Sequence, residues 1–408
     1  MPSWGSDLPV PSGRRESARW IALRRLVACT GAFDLKILHV YRTYFPDPPG
    51  GLQEAIRQIC ISTKRHGAVS EVFTLSPRPV PAELIRAEGR VVRSRSGAAP
   101  GSCDLGGVKA FRLFAVVAAS ADVIHYHYPW PFADLLHRFV RPGKPTVMTY
   151  HSDIVRQAWL GKIYGPLRNR MLGSMDEIVA TSSAYVASSP VLSNTELASR
   201  LRVIPLGIDE ETYTASTDDN IFQRIGLKVG EPYFLFLGVI RYYKGLHILV
   251  RSASRVGARI VIAGSGPVGE DLRRLADSLG VKSVIFSGQV EEGEKIALLR
   301  RCRAVVLPSN LRSEAYGMAL VEAAMFGKPM ISCEIGTGTS FVNAHEKTGL
   351  VVPPESPEEL ASAMNRLLDD SDLADRYGKA ARQRYEKVLS GEAMGRAYAQ
   401  LYQGILRR

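Results

Sequence analysis

The sequence predicts an α/β protein in which two parallel-sheet domains of about equal size face one another across a cleft. Three observations carry this. Short apolar, β-rich runs alternate with helical spacing, the signature of βαβ units and a parallel sheet. The alternation runs through the chain twice, and the two series are separated by a polar, irregular segment, ETYTASTDDN (211–220). Finally, 408 residues with 46% apolar side chains are enough to fill two cores.

The first series opens at LKILHVY (35–41). A loop, PDPPGG (46–51), leads into a helix over 52–67 closed by Gly67, and SEVFTL (70–75) is the next strand. Strands follow at 122–127, 145–151, 177–182 and 202–207. The second series has strands at 233–238, 258–264, 283–288, 304–309 and 329–334. Helices are expected at 270–280, 294–302 and 316–327, and from residue 356 onward the chain reads as helical throughout. The expected domains are 35–210 and 211–385, followed by a C-terminal helix, 386–408, that crosses back to the first. Residues 1–34, rich in Pro, Gly, Ser and Arg, are expected to be a dispensable, flexible extension, with a misassigned start codon as an equivalent origin.

Composition narrows the function classes. No stretch approaches the ~18–20 uninterrupted apolar residues of a membrane span. Five scattered cysteines without a CxxC pair argue against a disulfide framework or zinc site and fit a reducing cytosol. The net charge of +12 calls for an anionic partner or is ordinary solvated surface. Residues 81–175 carry thirteen Lys/Arg against six Asp/Glu, but no nucleic-acid module signature. Arg86, Arg90, Arg93, Arg95 and Lys109 are the leading candidates for an anion-facing patch, in a segment read as exposed loop or short helix.

Four places have the residue types of a ligand site. Gly50 and Gly51 follow the first strand, where a helix N-terminus offers free N–H groups to an anion; a tight turn explains them equally. Arg241 and Lys244 lie between Gly238 and Gly245 at a strand's carboxyl edge and suit a pyrophosphate, with a solvated loop as the competing account. Glu314 and Glu322 are eight apart, and Glu322 sits inside an apolar helical run where a carboxylate needs a partner. Tyr316 precedes the glycine of that run, and Gly317, Met318, Ala319 and Leu320 would present helix N-terminal amides to phosphate. His125, His127 and His151 end strands facing the cleft; a lone histidine is more often structural, and His127 is the strongest candidate.

The ordered set resembles the retaining glycosyltransferases of family 4, from about Lys36 to the C-terminus. The matching features are the early Gly-Gly loop, the strand–Arg–x–x–Lys–Gly element, AGSGP (263–267) and the E-x(7)-E pair. RYYKGL and TYHSDIVRQ (149–157) look like the branch containing bacterial O-antigen mannosyltransferases. The resemblance implies a GT-B fold of two Rossmann-like domains. It implies that Gly50 and Gly51 close over donor phosphates, and that Arg241 and Lys244 bind the diphosphate. Glu314 would contact the donor sugar, Glu322 the ribose, and Lys295 a position near the base. His127 would stand at the acceptor side. Tyr316 stands where the family more often has Phe.

The expected reaction is transfer of a sugar, best read as mannose from GDP-mannose, with retention of configuration. The acceptor would be a saccharide or a polyprenyl-diphosphate-linked chain, at the inner face of the cytoplasmic membrane. No cofactor or metal is expected, since the Asp-x-Asp at 370–372 reads as a surface turn. Rival readings are a GT-B sugar-nucleotide epimerase, a phosphorylase-like enzyme lacking the length and cofactor signal, and a non-catalytic nucleotide-sugar-binding protein.

Overall fold

A computed structural model describes residues 35–47, 50–97, 104–154, 158–228 and 230–408. The expected extension, and Pro48 and Pro49 of the first glycine loop, lie outside the described residues.

The first sheet has eight strands: β1 (Leu35–Val40), β2 (Ala68–Ser76), β3 (Glu83–Arg86), β4 (Gly89–Arg95), β5 (Val123–Tyr128), β6 (Thr146–Tyr150), β7 (Glu177–Ala180) and β8 (Leu201–Val203). Their order is β3-β4-β2-β1-β5-β6-β7-β8, parallel except for β3. Among the described residues the α-helices of this half are α1 (Gly51–Lys64), α2 (Val108–Ser120), α3 (Pro131–Val140), α4 (Ala158–Ser174) and α5 (Ser183–Ser188).

The second sheet has six parallel strands: β9 (Tyr233–Leu237), β10 (Arg259–Ala263), β11 (Val284–Gly288), β12 (Ala304–Leu307), β13 (Met330–Cys333) and β14 (Gly349–Val352). Their order, β11-β10-β9-β12-β13-β14, is that of a dinucleotide-binding sheet. Around it lie α6 (Asn220–Arg224), α7 (Leu246–Ser252), α8 (Gly269–Ser278), α9 (Glu292–Arg301), α10 (Met318–Met325), α11 (Gly338–Val342), α12 (Pro357–Asp369) and α13 (Ser371–Arg384). YFLFL of β9 and AVVL of β12 are wholly buried because helices cover both faces, so the strands read as continuous apolar runs.

The period of two explains the first core. Leu38, Val40, Ile124, Met148 and Ile178 face one side, while Ile37, Val123, Val147 and Val179 face the other. The second side also carries His39, His125, His127, Thr149 and His151, by the same alternation. It is covered by α1 and by the last helix, α14 (Gly391–Leu406), which packs along α1. That contact needs small residues: a Cβ on Gly395 would stand 2.3 Å from the Ser62 carbonyl oxygen.

Two expectations change. The C-terminal region is not one continuous helical run. After α13, a π-helical turn, Tyr385–Leu389, stops at Ser390, whose hydroxyl caps α14. There the chain bonds to the first half, Gly391 N–H donating to the Ile208 carbonyl at 2.7 Å. Residues 83–95 form the edge strand β3 and its neighbour β4, not loop or short helix. The charged strands are tolerated because the arginines meet acids: Arg86 meets Glu88, Arg90 meets Glu71 and Glu83, and Arg93 meets Asp47. Arg93 is buried, so these three are poor candidates for an exposed anion patch.

Candidate active site

In an open parallel sheet, ligands bind outside the carboxyl ends of the strands, where the strand order reverses. In the second sheet that point lies between β9 and β12. The chain leaves β9 at Gly238 (φ 134°) and returns into α7 at Gly245 (φ 66°). Gly245 passes so close to β12 that its Cβ would lie 1.9 Å from the Pro308 carbonyl oxygen. Between the glycines a single 3₁₀ turn, Tyr242–Lys244, leaves Arg241 exposed at its start. Lys244 turns inward, with Nζ 2.5 Å from Oε2 of Glu314. Burial opposes the charge on Lys244, but the Glu314 carboxylate outweighs it and raises the ammonium above its usual pKa.

A second pair lies on α10 and α9. Glu322 Oε1 accepts from Lys295 Nζ at 3.0 Å and from the Tyr213 hydroxyl at 2.5 Å, and Lys295 also lies over the Tyr213 ring. Burial first, then the Glu322 charge, push the Tyr213 hydroxyl well above its ordinary pKa. Helix α10 starts from Gly317 in the left-handed region (φ 87°). The Leu320 N–H donates to the Gly317 carbonyl at 2.8 Å, which leaves the amides of Met318 and Ala319 as the first without intrahelical partners.

Across the cleft, β1, β5 and β6 bring histidines together in one buried cluster. His127 Nε2 is 3.0 Å from His39 Nδ1, and His127 Nδ1 is 3.0 Å from His151 Nε2. His125 bridges Tyr402 of α14 and Thr149, each at 2.7 Å. Burial pushes His39 and His151 down to about 3, and drives His125 and His127 well below 6.5 with the help of neighbouring histidines. All four are therefore neutral at pH 7. His39 Nε2 is buried without a partner. Nitrogens of His39, His125 and His127 also lie within 4.8 Å of one another. That grouping is compatible with a metal, but every nitrogen named above except His39 Nε2 already has a hydrogen-bond partner.

The two halves touch at the cleft. Arg312 of the second lies 3.4 Å from Asp153 of the first and over the Tyr185 ring, and Ser188 Oγ donates to the Gly336 carbonyl at 2.5 Å.

This chain matches the family model "Glycosyltransferase Family 4" over residues 49–212 and "Glycosyl transferases group 1" over residues 217–384. It is 41% identical to O-antigen chain mannosyltransferase C of Escherichia coli, covering 91% of this chain and 99% of that protein. It is 43% identical to the D-rhamnosyltransferase WbpZ of Pseudomonas aeruginosa, covering 87% and 92%. The chain belongs to the family 4 glycosyltransferases. Solved structures agree on the GT-B fold. Sucrose-phosphate synthase of Thermosynechococcus elongatus superposes with a TM-score of 0.74 at 22% identity, covering 91% of this chain and 99% of that one. Anabaena HepE with UDP-glucose gives 0.74 at 18%, covering 91% and 100%.

In this glycosyltransferase the sequence-predicted residues fall into groups. Lys244 is bonded to Glu314, with Arg241 beside them; Glu322 is bonded to Lys295; His127 lies in the histidine cluster of the opposite half. Gly50 is extended (φ −152°) and Gly51 begins α1, so neither adopts the left-handed turn conformation that would demand glycine. The Tyr316 side chain is buried and its hydroxyl donates to the Leu206 carbonyl at 2.9 Å, so its backbone is what it could offer a ligand. The Leu320 amide bonds within the turn, to the Gly317 carbonyl. Asp370 of the Asp-x-Asp caps α13, accepting from Leu373 N–H. The sequence reading missed Tyr213, His39, Asp153 and Arg312. Tyr213 and Arg312 lie in irregular segments without periodicity. Only the strand parity of His39 could have signalled its place.

Proposed function

We propose that this glycosyltransferase moves a hexose, read as mannose from GDP-mannose, onto a lipid-linked or saccharide acceptor in bacterial surface polysaccharide synthesis. The reading keeps retention of anomeric configuration. The single observation that carries it is the cation grouping at the second switch point, with Lys244 anchored on Glu314 beside the exposed Arg241. A diphosphate leaving group gains negative charge as its bond to the anomeric carbon breaks, and fixed cations aimed there stabilise that charge most where water is scarce. The names of the two relatives supply the polymer and sugar class.

Each residue then has a role. Arg241 and Lys244 hold the diphosphate, and the free amides of Met318 and Ala319 join them at a helix N-terminus. Gly50 and Gly51 let phosphates approach the backbone. Lys244 is bonded to Glu314 Oε2, so Oε1 is the edge offered to the donor sugar. Glu322, steadied by Lys295 and Tyr213, accepts from the ribose. His127, neutral, stands at the acceptor side. The C1–O bond to phosphate breaks through an oxocarbenium-like transition state, the acceptor oxygen attacks the same face, and its proton passes to the departing phosphate oxygen. No metal is assigned a step.

The proposed division is acceptor domain 35–210, donor domain 211–385 and a returning helix 386–408. Among the described residues no helix is long and apolar enough to cross a membrane. Peripheral attachment at the inner face of the cytoplasmic membrane, drawn by the +12 charge, completes the proposal. The test is a donor screen with GDP-mannose, UDP-sugars and dTDP-rhamnose against a lipid-linked acceptor extract. Acceptor-dependent release of GDP supports the reading; release that ignores acceptor, or turnover with no donor, overturns it.

A further inference from the structure

The first sheet carries a second basic site, at the edge where its strands begin. There α3 ends at Val140, α4 ends at Ser174 and β6 starts at Thr146. A cavity of about 400 Å³ lies between these ends. One five-residue strand, about 16 Å at 3.3 Å per residue, separates it from the edge bearing His151.

Four cations line the cavity: Arg138, Arg141, Lys144 and Arg170. Among the described residues none of them has an ion-pair or hydrogen-bond partner through its side chain. The two carboxylates in the lining are already engaged. Asp134 accepts from the Tyr164 hydroxyl at 2.5 Å, and burial raises it to about 7. Asp176 accepts the N–H and the hydroxyl of Thr146. Four like charges in one concavity repel each other unless an anion enters, and concave walls concentrate their field.

The surroundings decide which anion. Phe139, next to Arg138 in sequence but outside the cavity lining, is 70% exposed at the α2 side of α3, its ring 6.1 Å from Phe111. On α2, Val108, Arg112 and Val116 fall on one stripe at four-residue spacing, and all are exposed. A free ion would call for none of these apolar groups, and the two exposed valines offer no ring on which a base could stack. They fit a bilayer surface, where apolar groups enter the acyl boundary and cations meet phosphates.

We propose that the cavity bounded by Arg138, Arg141, Lys144 and Arg170 receives the phosphate of an anionic phospholipid, with Phe139 inserted beside it. This rests on the peripheral attachment proposed above and names the surface that makes it. Each cation held against an anionic surface raises partitioning about fivefold.

The test is co-sedimentation of the full chain with phosphatidylglycerol/phosphatidylcholine vesicles and with phosphatidylcholine alone. Arg138→Gln/Arg141→Gln removes two lining charges. Arg251→Gln/Lys282→Gln removes two exposed charges of the second half as a charge-matched control. Wild type should bind only the anionic vesicles. The cavity variant should bind them about thirtyfold more weakly, from two such factors, and the control should bind as wild type. Phe139→Ser should weaken binding while thermal unfolding stays unchanged. Equal loss in both double variants, or no loss in the cavity variant, overturns the pocket and leaves membrane attachment standing. Failure of wild type to bind anionic vesicles overturns both. A melting-temperature rise with inorganic phosphate, lost in the cavity variant while vesicle binding persists, would assign the cavity to a soluble phosphate and overturn the lipid.

Discussion

Lys244 and Glu314, seventy residues apart, hold each other at 2.5 Å with both side chains almost closed to solvent. Each is therefore the other's counter-charge before any ligand arrives. Removing one partner of a buried pair leaves an uncompensated charge and costs about 3–5 kcal/mol of stability. Lys244→Ala and Glu314→Ala should thus lose both melting temperature and activity, and activity alone cannot assign them.

Arg241 separates the two effects. It is exposed, so Arg241→Ala should leave thermal unfolding unchanged while turnover falls about 100-fold or more, the scale for loss of one fixed donor to a developing anion. Lys244→Met/Glu314→Gln should recover much of the melting temperature without recovering turnover. Wild-type turnover in Arg241→Ala would remove it from the diphosphate site.

The donor end has its own signature. Glu322→Gln keeps the shape but loses the charge that Lys295 and Tyr213 hold in place. The expected result is a donor KM raised about tenfold with a smaller change in kcat, the pattern of lost ground-state binding. Tyr213→Phe, which removes only the hydroxyl donor, should shift KM in the same direction by less. A fall in kcat at unchanged KM would move Glu322 away from the ribose.

The residues behind these predictions were unequally legible. The apolar runs YFLFL and AVVL announced themselves because helices cover both faces of the second sheet. The edge strand β3 and its neighbour β4 did not, since arginines interrupt their apolar alternation and are balanced by acids on adjoining strands and connecting loops. Arg241, Lys244, Glu314 and Glu322 were visible as a pattern, but the bonds Lys244–Glu314 and Glu322–Lys295 were not. Pairings 70 and 27 residues apart are set by how strand ends converge. His125 and His127 showed the strand period of two. That His39 joins them depends on the pairing of β1 with β5, which sets His39 opposite His125.

The histidine cluster makes stability depend on pH. His39 and His151 have folded pKa values near 3, against about 6.5 when unfolded. The unfolded chain binds the extra protons, so their contribution is complete above pH 6.5 and is lost as the pH falls toward 3. At pH 5 each costs about 2 kcal/mol relative to pH 8. Between pH 7 and pH 5 Asp134, raised to about 7, takes up its proton in the folded state and works the other way, so the cluster is read as a difference: His151→Gln should lose less of its urea midpoint over that range than wild type. Equal slopes in the two proteins would show that the cluster is charged or open to water.

Gly51 gives the cleanest separation of fold from ligand. It begins α1 and has nothing within 4 Å of where a Cβ would project. Nothing in the described structure therefore requires glycine there. Alanine in a helix is favoured over glycine by about 0.5–1 kcal/mol, so Gly51→Ala should melt at or slightly above the wild-type temperature. The proposed role is different: a diphosphate lying against the backbone at the start of α1 needs the space a methyl would fill. Donor KM should then rise about tenfold or more, and Gly51→Val should raise it further. Acceptor KM should stay near wild type, because the space in question belongs to the donor. Calorimetry and initial rates on the same preparations test this directly. A variant that melts as expected and binds donor as wild type would show that the phosphates never approach this helix start.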